Sequence, residues 1–126
     1  MPAKAIDCIA LEHAAIDQTH REFVALLEAT RAAKGPEFAR LFTELLAHTR
    51  QHFAAEEQMM QDSACPILAE HRADHLRILG DMQRFSERAA AGRAAMARAW
   101  LDESLPDWFN LHLRTMDAAL VAHLAA

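Results

Sequence analysis

Residues 37–62 read EFARLFTELLAHTRQHFAAEEQMMQD, and this stretch decides the fold. Phe38, Leu41, Phe42, Leu45 and Leu46 recur at steps of three and four, the spacing that lines one face of an α-helix. The same helix continues to His52 and Glu56, a step of four that sets an imidazole and a carboxylate one turn apart on one side. Breakers bound the stretch: Lys34-Gly35-Pro36 ahead of it and Ser63-Ala64-Cys65-Pro66 behind.

The pattern repeats on either side. The segment before residue 34 carries Phe23, Leu26 and Leu27. Residues 67–91 carry Leu68, Leu76, Leu79 and Met82. Past Gly92 come Met96, Trp100, Leu101, Leu105, Leu113, Met116, Leu120 and Leu124. Four amphipathic helices joined by short connections predict an all-α, antiparallel up-down-up-down four-helix bundle. Two boundaries are less sharply marked. Asp7 or Asp17 is expected to cap the first helix. Ser104-Leu105-Pro106-Asp107 has the form of a capping box with proline in the first turn, so a new helix is expected there; a single proline-kinked helix is the alternative.

Composition agrees. The 126 residues include 28 Ala but only 12 Val, Ile and Thr together, a balance that favours helix over sheet. A hydrophobic content of 52% excludes a disordered chain. No apolar run exceeds the five residues of 118–122, so no membrane span is expected. Thirteen Lys and Arg against eighteen Asp and Glu leave a net charge of −5, which offers no basic face to nucleic acid or anionic lipid. The N-terminal residues lack the apolar core of a secretory signal, so a cytoplasmic protein is expected, with Cys8 and Cys65 as reduced thiols. No protein partner is indicated.

Eight His stand out in this composition. His52 and Glu56 form H-x3-E, His71 and His75 form H-x3-H, and His112 and Asp117 form H-x4-D. They fall on three different helices, and His20 on the first completes a set of seven. Five residues at about 100° each put Asp117 roughly 140° from His112 on an ideal helix. A local distortion such as a π-bulge is therefore predicted between them.

Seven ligands exceed a four-coordinate zinc site, and five imidazoles with two carboxylates suit two first-row transition ions, with iron the first choice. Two carboxylates can bridge both ions. Five terminal nitrogens then divide three and two. With a solvent-derived oxo or hydroxo bridge, the three-His ion has six ligands and the two-His ion five, leaving one position for a small molecule.

At this point the chain resembles the hemerythrin family in its short, single-domain bacterial form. Ile16-Asp17-x-x-His20 resembles the family's I-D-x-x-H, and His52-Phe53-x-x-Glu56-Glu57-x-x-Met60 its H-F-x-x-E-E-x-x-M. Pro66 with His71 and His75 resembles P-x4-H-x3-H, and Trp108-Phe109-x-x-His112-x4-Asp117 resembles W-L-x-x-H-x4-D. The resemblance implies one hemerythrin-like domain over residues 1–126 and two non-haem irons. His71, His75 and His112 would bind one iron and His20 and His52 the other, with Glu56 and Asp117 bridging. It implies reversible O2 binding on the two-His iron, in the service of transport, storage or delivery. The alternatives are a di-iron enzyme that scavenges nitric oxide or peroxide, or an iron-handling protein.

Imidazole-rich ligation brings less negative charge than the paired E-x-x-H motifs of ferritin-like oxidases, which favours the diferrous state. Phe23, Phe53, Trp108 and Phe109 are expected to keep the ligand pocket dry, or to serve as ordinary core. Phe109 stands where the family commonly has Leu. His48, one turn before His52, and His13, seven residues before His20, are candidates for hydrogen bonding a ligand or lining a path to the site. His13 is also a rival first-helix ligand, with His20 preferred. His123 is expected at the surface.

Overall fold

The computed structural model describes residues 3–7 and 9–126. They form four helical rods and, among the described residues, no strand. Helix α1 spans Ala14–Ala32, α2 Pro36–Asp62 and α3 Leu68–Ala90. The fourth rod joins α4 (Ala95–Ala99), α5 (Leu105–His112) and α6 (Ala118–Ala125) through π-helical turns at Trp100–Ser104 and Leu113–Asp117. The breaks fall at the breaker motifs. Gly35 and Gly92 adopt φ values of 60° and 81°, a left-handed conformation open to glycine at little cost. Pro36 opens α2, where a missing N–H leaves no bond unmade. None of these helices is long and apolar enough to cross a membrane.

The amphipathic faces turn inward as two apolar clusters. The larger holds Phe23, Leu27, Phe38, Phe42, Leu45, Ile78, Met82, Trp100, Leu101, Leu105, Phe109 and Leu113, all buried. The smaller holds Ile16, Met60, Cys65 and Leu120. Cys65 is a buried free thiol; Cys8 lies outside the described residues. Along α1 the order is Ile16, His20, Phe23, and along α2 it is Phe53, Glu56, Met60. A polar layer is thus held between two dry ones.

The first uncertain boundary resolves differently from expectation, and the second takes the alternative form, one continuous rod through Pro106. Neither Asp7 nor Asp17 caps α1. The cap is His13, whose Nδ1 accepts the Ile16 N–H at 3.2 Å. Asp17 instead accepts the N–H groups of Leu11 and His13 at 2.8 and 3.3 Å, fixing the approach to the helix. The rod does not break at Ser104, whose side chain makes no capping bond, and α5 continues directly from the π turn. The backbone stays right-handed helical through Ser104 and Leu105, and the wide turn before Pro106 absorbs the proline.

Pro106 has no N–H to give the carbonyl one turn behind it. That carbonyl, of Asp102, accepts the Lys4 N–H at 2.8 Å, and the neighbouring Leu101 carbonyl accepts Arg31 Nη2 at 2.8 Å. The N-terminal arm then follows the fourth rod. Asp7 N–H donates to Asn110 Oδ1 at 2.8 Å, Asn110 Nδ2 donates to the Ala5 carbonyl at 3.2 Å, and Asp7 pairs with Arg114 inside the second π turn. That second turn is the distortion predicted between His112 and Asp117.

Candidate metal centre

Each rod contributes to the polar layer: His20 from α1, His52 and Glu56 from α2, His71 and His75 from α3, His112 and Asp117 from the fourth. All seven are buried. Every imidazole presents Nε2 inward. Glu56 Oε1 lies 3.3 Å from both His71 and His75 Nε2, while its Oε2 lies 2.6 Å from His52 and 3.6 Å from His20. Asp117 repeats the division, with Oδ1 at 3.2 Å from His71 and His112 and Oδ2 at 3.1 Å from His20. One carboxylate oxygen of each acid therefore faces the His71/His75/His112 group and the other faces the His20 side.

Chemically, this donor set fits metal cations. His20 Nε2, His71 Nε2, Glu56 Oε1 and Asp117 Oδ1 are buried without an aligned hydrogen-bond partner, although opposing donors and acceptors surround them. Such groups are costly to bury unless something satisfies them. Ligand atoms of Glu56, His71, His75, His112 and Asp117 all lie within 4.8 Å of one another, as do those of His20, His52 and Glu56. Two overlapping groups sharing a carboxylate suit two ions.

The metal-free chain balances the same groups by protonation. Burial works against charge on His20 and His71, but the adjacent Asp117 and Glu56 outweigh it and push both up to about 9. Burial would raise the Glu56 carboxyl, yet four facing imidazoles hold it well below the usual carboxylate range. Asp117 is likewise lowered, with His112, His20 and His71 overcoming burial and the repulsion from Glu56. Two imidazolium ions then offset two carboxylates.

Aromatic rings close the layer. Phe109 stacks on Phe23 with centroids 4.9 Å apart and meets His20 edge-on at 5.6 Å; Phe23 lies 6.2 Å from His52. These rings wall the His20/His52 side. Phe53 stacks flat on His75 at 3.7 Å and Trp108 on His112 at 4.5 Å, so they support the three-His side. His48 lies 6.4 Å from the His52 ring and reaches toward Glu22 at 3.8 Å. His13 stays outside the cluster as the α1 cap. His123 is half-buried rather than superficial, its Nε2 2.9 Å from the Ser63 carbonyl.

Two further residues belong here that sequence reading passed over. Asp74 Oδ2 lies 2.7 Å from His112 Nδ1, and Glu57 Oε2 lies 2.9 Å from His75 Nδ1. The available signal was an acid beside each ligand, in His71-Arg72-Ala73-Asp74-His75 and in Glu56-Glu57. Outer carboxylates of this kind fix the imidazole tautomer so that Nε2 is free to ligate.

Comparison with known proteins places relatives beside this geometry. A family model, the hemerythrin HHE cation binding domain, matches residues 12–124. The bacteriohemerythrin of Ralstonia nicotianae is 34% identical over 119 residues, covering 94% of this chain and 86% of the relative. The bacteriohemerythrin of Stenotrophomonas maltophilia is 26% identical over 88% of this chain and 74% of its own. The myohemerythrin of Sipunculus nudus is 33% identical over 68% of this chain and 64% of its own. No solved structure gives a significant match.

Proposed function

The chain belongs to the hemerythrin family, and on that premise we propose how its residues serve a di-iron protein that binds O2. His71, His75 and His112 hold one iron. His20 and His52 would hold the other, with Glu56 and Asp117 offering one oxygen to each side. When bound, the iron pair supplies the electrons through which O2 attaches reversibly. The supporting observation is the split of each carboxylate: Glu56 turns Oε1 to His71 and His75 and Oε2 to His52 and His20.

Counting donors gives the two positions different work. His71, His75 and His112 with one oxygen of each carboxylate would hold one iron, and His20 and His52 with the other oxygens would hold the second. The His20/His52 side offers one protein donor fewer, which would leave room there for a small ligand. Phe23 and Phe109 cover that side and exclude water, which slows proton delivery to a bound ligand. The whole chain, residues 1–126, acts as one domain, in the cytoplasm, as an O2 carrier, store or delivery protein.

The test is an oxygen-electrode titration of the iron-loaded, reduced protein. Uptake of one O2 per chain, returned under vacuum, is expected. Irreversible consumption, or catalytic turnover of nitric oxide or peroxide in place of reversible uptake, would overturn the reading.

A further inference from the structure

The two metal positions are not supported alike. On the three-His side, Asp74 receives His112 Nδ1 at 2.7 Å and Glu57 receives His75 Nδ1 at 2.9 Å. Each carboxylate is held in turn by an arginine: Asp74 by Arg77 at 3.3 Å and Glu57 by Arg72 Nε at 3.1 Å. Two Arg–carboxylate–His chains therefore run inward from the surface of the bundle. Flat stacking by Phe53 and Trp108 immobilises the same two rings. His71 Nδ1 on the same side is buried without a hydrogen-bond partner among the described residues, as are both His20 Nδ1 and His52 Nδ1 on the other, so two of three rings are anchored against neither of two. The aromatic contacts of His20 and His52 are edge-on or tilted, His20 with Phe109 and His52 with Phe23 and Phe53, and none is a flat stack.

We infer that the centre fills in order, the His71/His75/His112 position before the His20/His52 position, with Asp74 and Glu57 as the positioning residues that set the order. A ring anchored at Nδ1 and stacked on one face already aims its Nε2 lone pair at the metal and loses little freedom on binding. An unanchored ring must select its tautomer and orientation when the metal arrives. Donor count works in the same direction, with five protein ligands against four. The order also protects the carboxylates: with one position filled, Glu56 and Asp117 each keep one oxygen facing the second position.

The inference rests on the two-metal reading, and one titration separates their failures. Cobalt(II) is titrated anaerobically into the metal-free chain, following heat and the visible d–d bands. Two equivalents are expected in two steps, the second at least tenfold weaker. A total other than two would overturn the two-metal reading itself. Two equivalents taken up in one unresolved step would overturn only the order. His52→Ala should retain the tight equivalent and lose the weak one; loss of the tight equivalent would reverse the assignment. Asp74→Asn and Glu57→Gln should each weaken the first step by about 10–100-fold, the usual effect of removing an outer carboxylate, while sparing the second. Far-UV circular dichroism confirms that each variant is folded. If both variants load like the parent chain, the two acids do not set the order.

Discussion

His112 Nε2 and Asp117 Oδ1 lie 3.2 Å apart although five positions separate them in the chain. On a regular helix they would point roughly 140° apart. The π turn at Leu113–Asp117 takes one extra residue per turn and brings both to the same side. The site is therefore coupled to a single backbone irregularity, and the turn can be edited.

Deleting Thr115 leaves H-x3-D, which a regular helix presents on one face. The shortened chain should keep its helical content and its capacity for two metal ions. Inserting one alanine at the same place rotates the acid away and shifts the phase of α6, so capacity should fall below two. Circular dichroism with metal analysis reads both. Equal loss of metal in the two variants would contradict the role given to the turn.

Proton release follows from the charge balance of the metal-free cluster. His20 and His71 sit at about 9 against an ordinary 6.5, so both carry protons at neutral pH. Metal must displace them. Loading at pH 7 should release about two protons per chain from His20 and His71, in addition to those set free in forming a solvent-derived bridge, read with an indicator dye in weak buffer, and the histidine share should vanish above pH 10. The sign for folding stability is opposite. The raised histidines stabilise the metal-free bundle fully below pH 6.5 and cease to do so as pH rises through about 9. The lowered Glu56 and Asp117 stabilise it above their unfolded values of 4.5 and 3.8 and cease to do so in acid. Denaturant midpoints should thus peak near pH 5–6.5 without metal.

Phe109 fills the space beside His20 and Phe23 and is 2% exposed. Replacing it with alanine should cost about 3–5 kcal/mol in a denaturant titration, as for other large core truncations. The new cavity adjoins the His20/His52 position, so O2 should also leave faster in stopped flow. Phe109→Leu should lie between the two. An unchanged release rate would remove Phe109 from the ligand pocket.

The N-terminal arm supplies hydrogen bonds that the fourth rod lacks, at Asp102 and Asn110. The exposed ion pairs along it add little. Removing residues 1–7 should leave α1 intact, because its cap is His13. Amide exchange should quicken about tenfold around residues 100–117, the worth of one backbone hydrogen bond, and stay unchanged in α2 and α3. Uniform acceleration over all four rods would contradict a local role for the arm.

Much of this was legible because its determinants are local. The breakers at Gly35, Pro66 and Gly92 and the three-and-four spacing define the rods. The misfit of H-x4-D with a regular helix points to the second π turn. Residues whose partners come from another element were harder to read. Asp74 and Glu57 look like solvated acids until α3 and α2 are packed against their neighbours. His13 looks like a helix-face residue until the chain direction before α1 is known. The Ser104-to-Asp107 stretch has the composition of a helix start, and tertiary bonds from Lys4 and Arg31 override it.

The most direct measurement is iron content together with the visible spectrum of the reduced protein, cycled between argon and air. The residues described here predict two irons per chain and a ligand-to-iron charge-transfer band that appears in air and disappears under argon over repeated cycles. One iron per chain, or immediate oxidation in air with no reversible band, would contradict a di-iron centre built to hold O2.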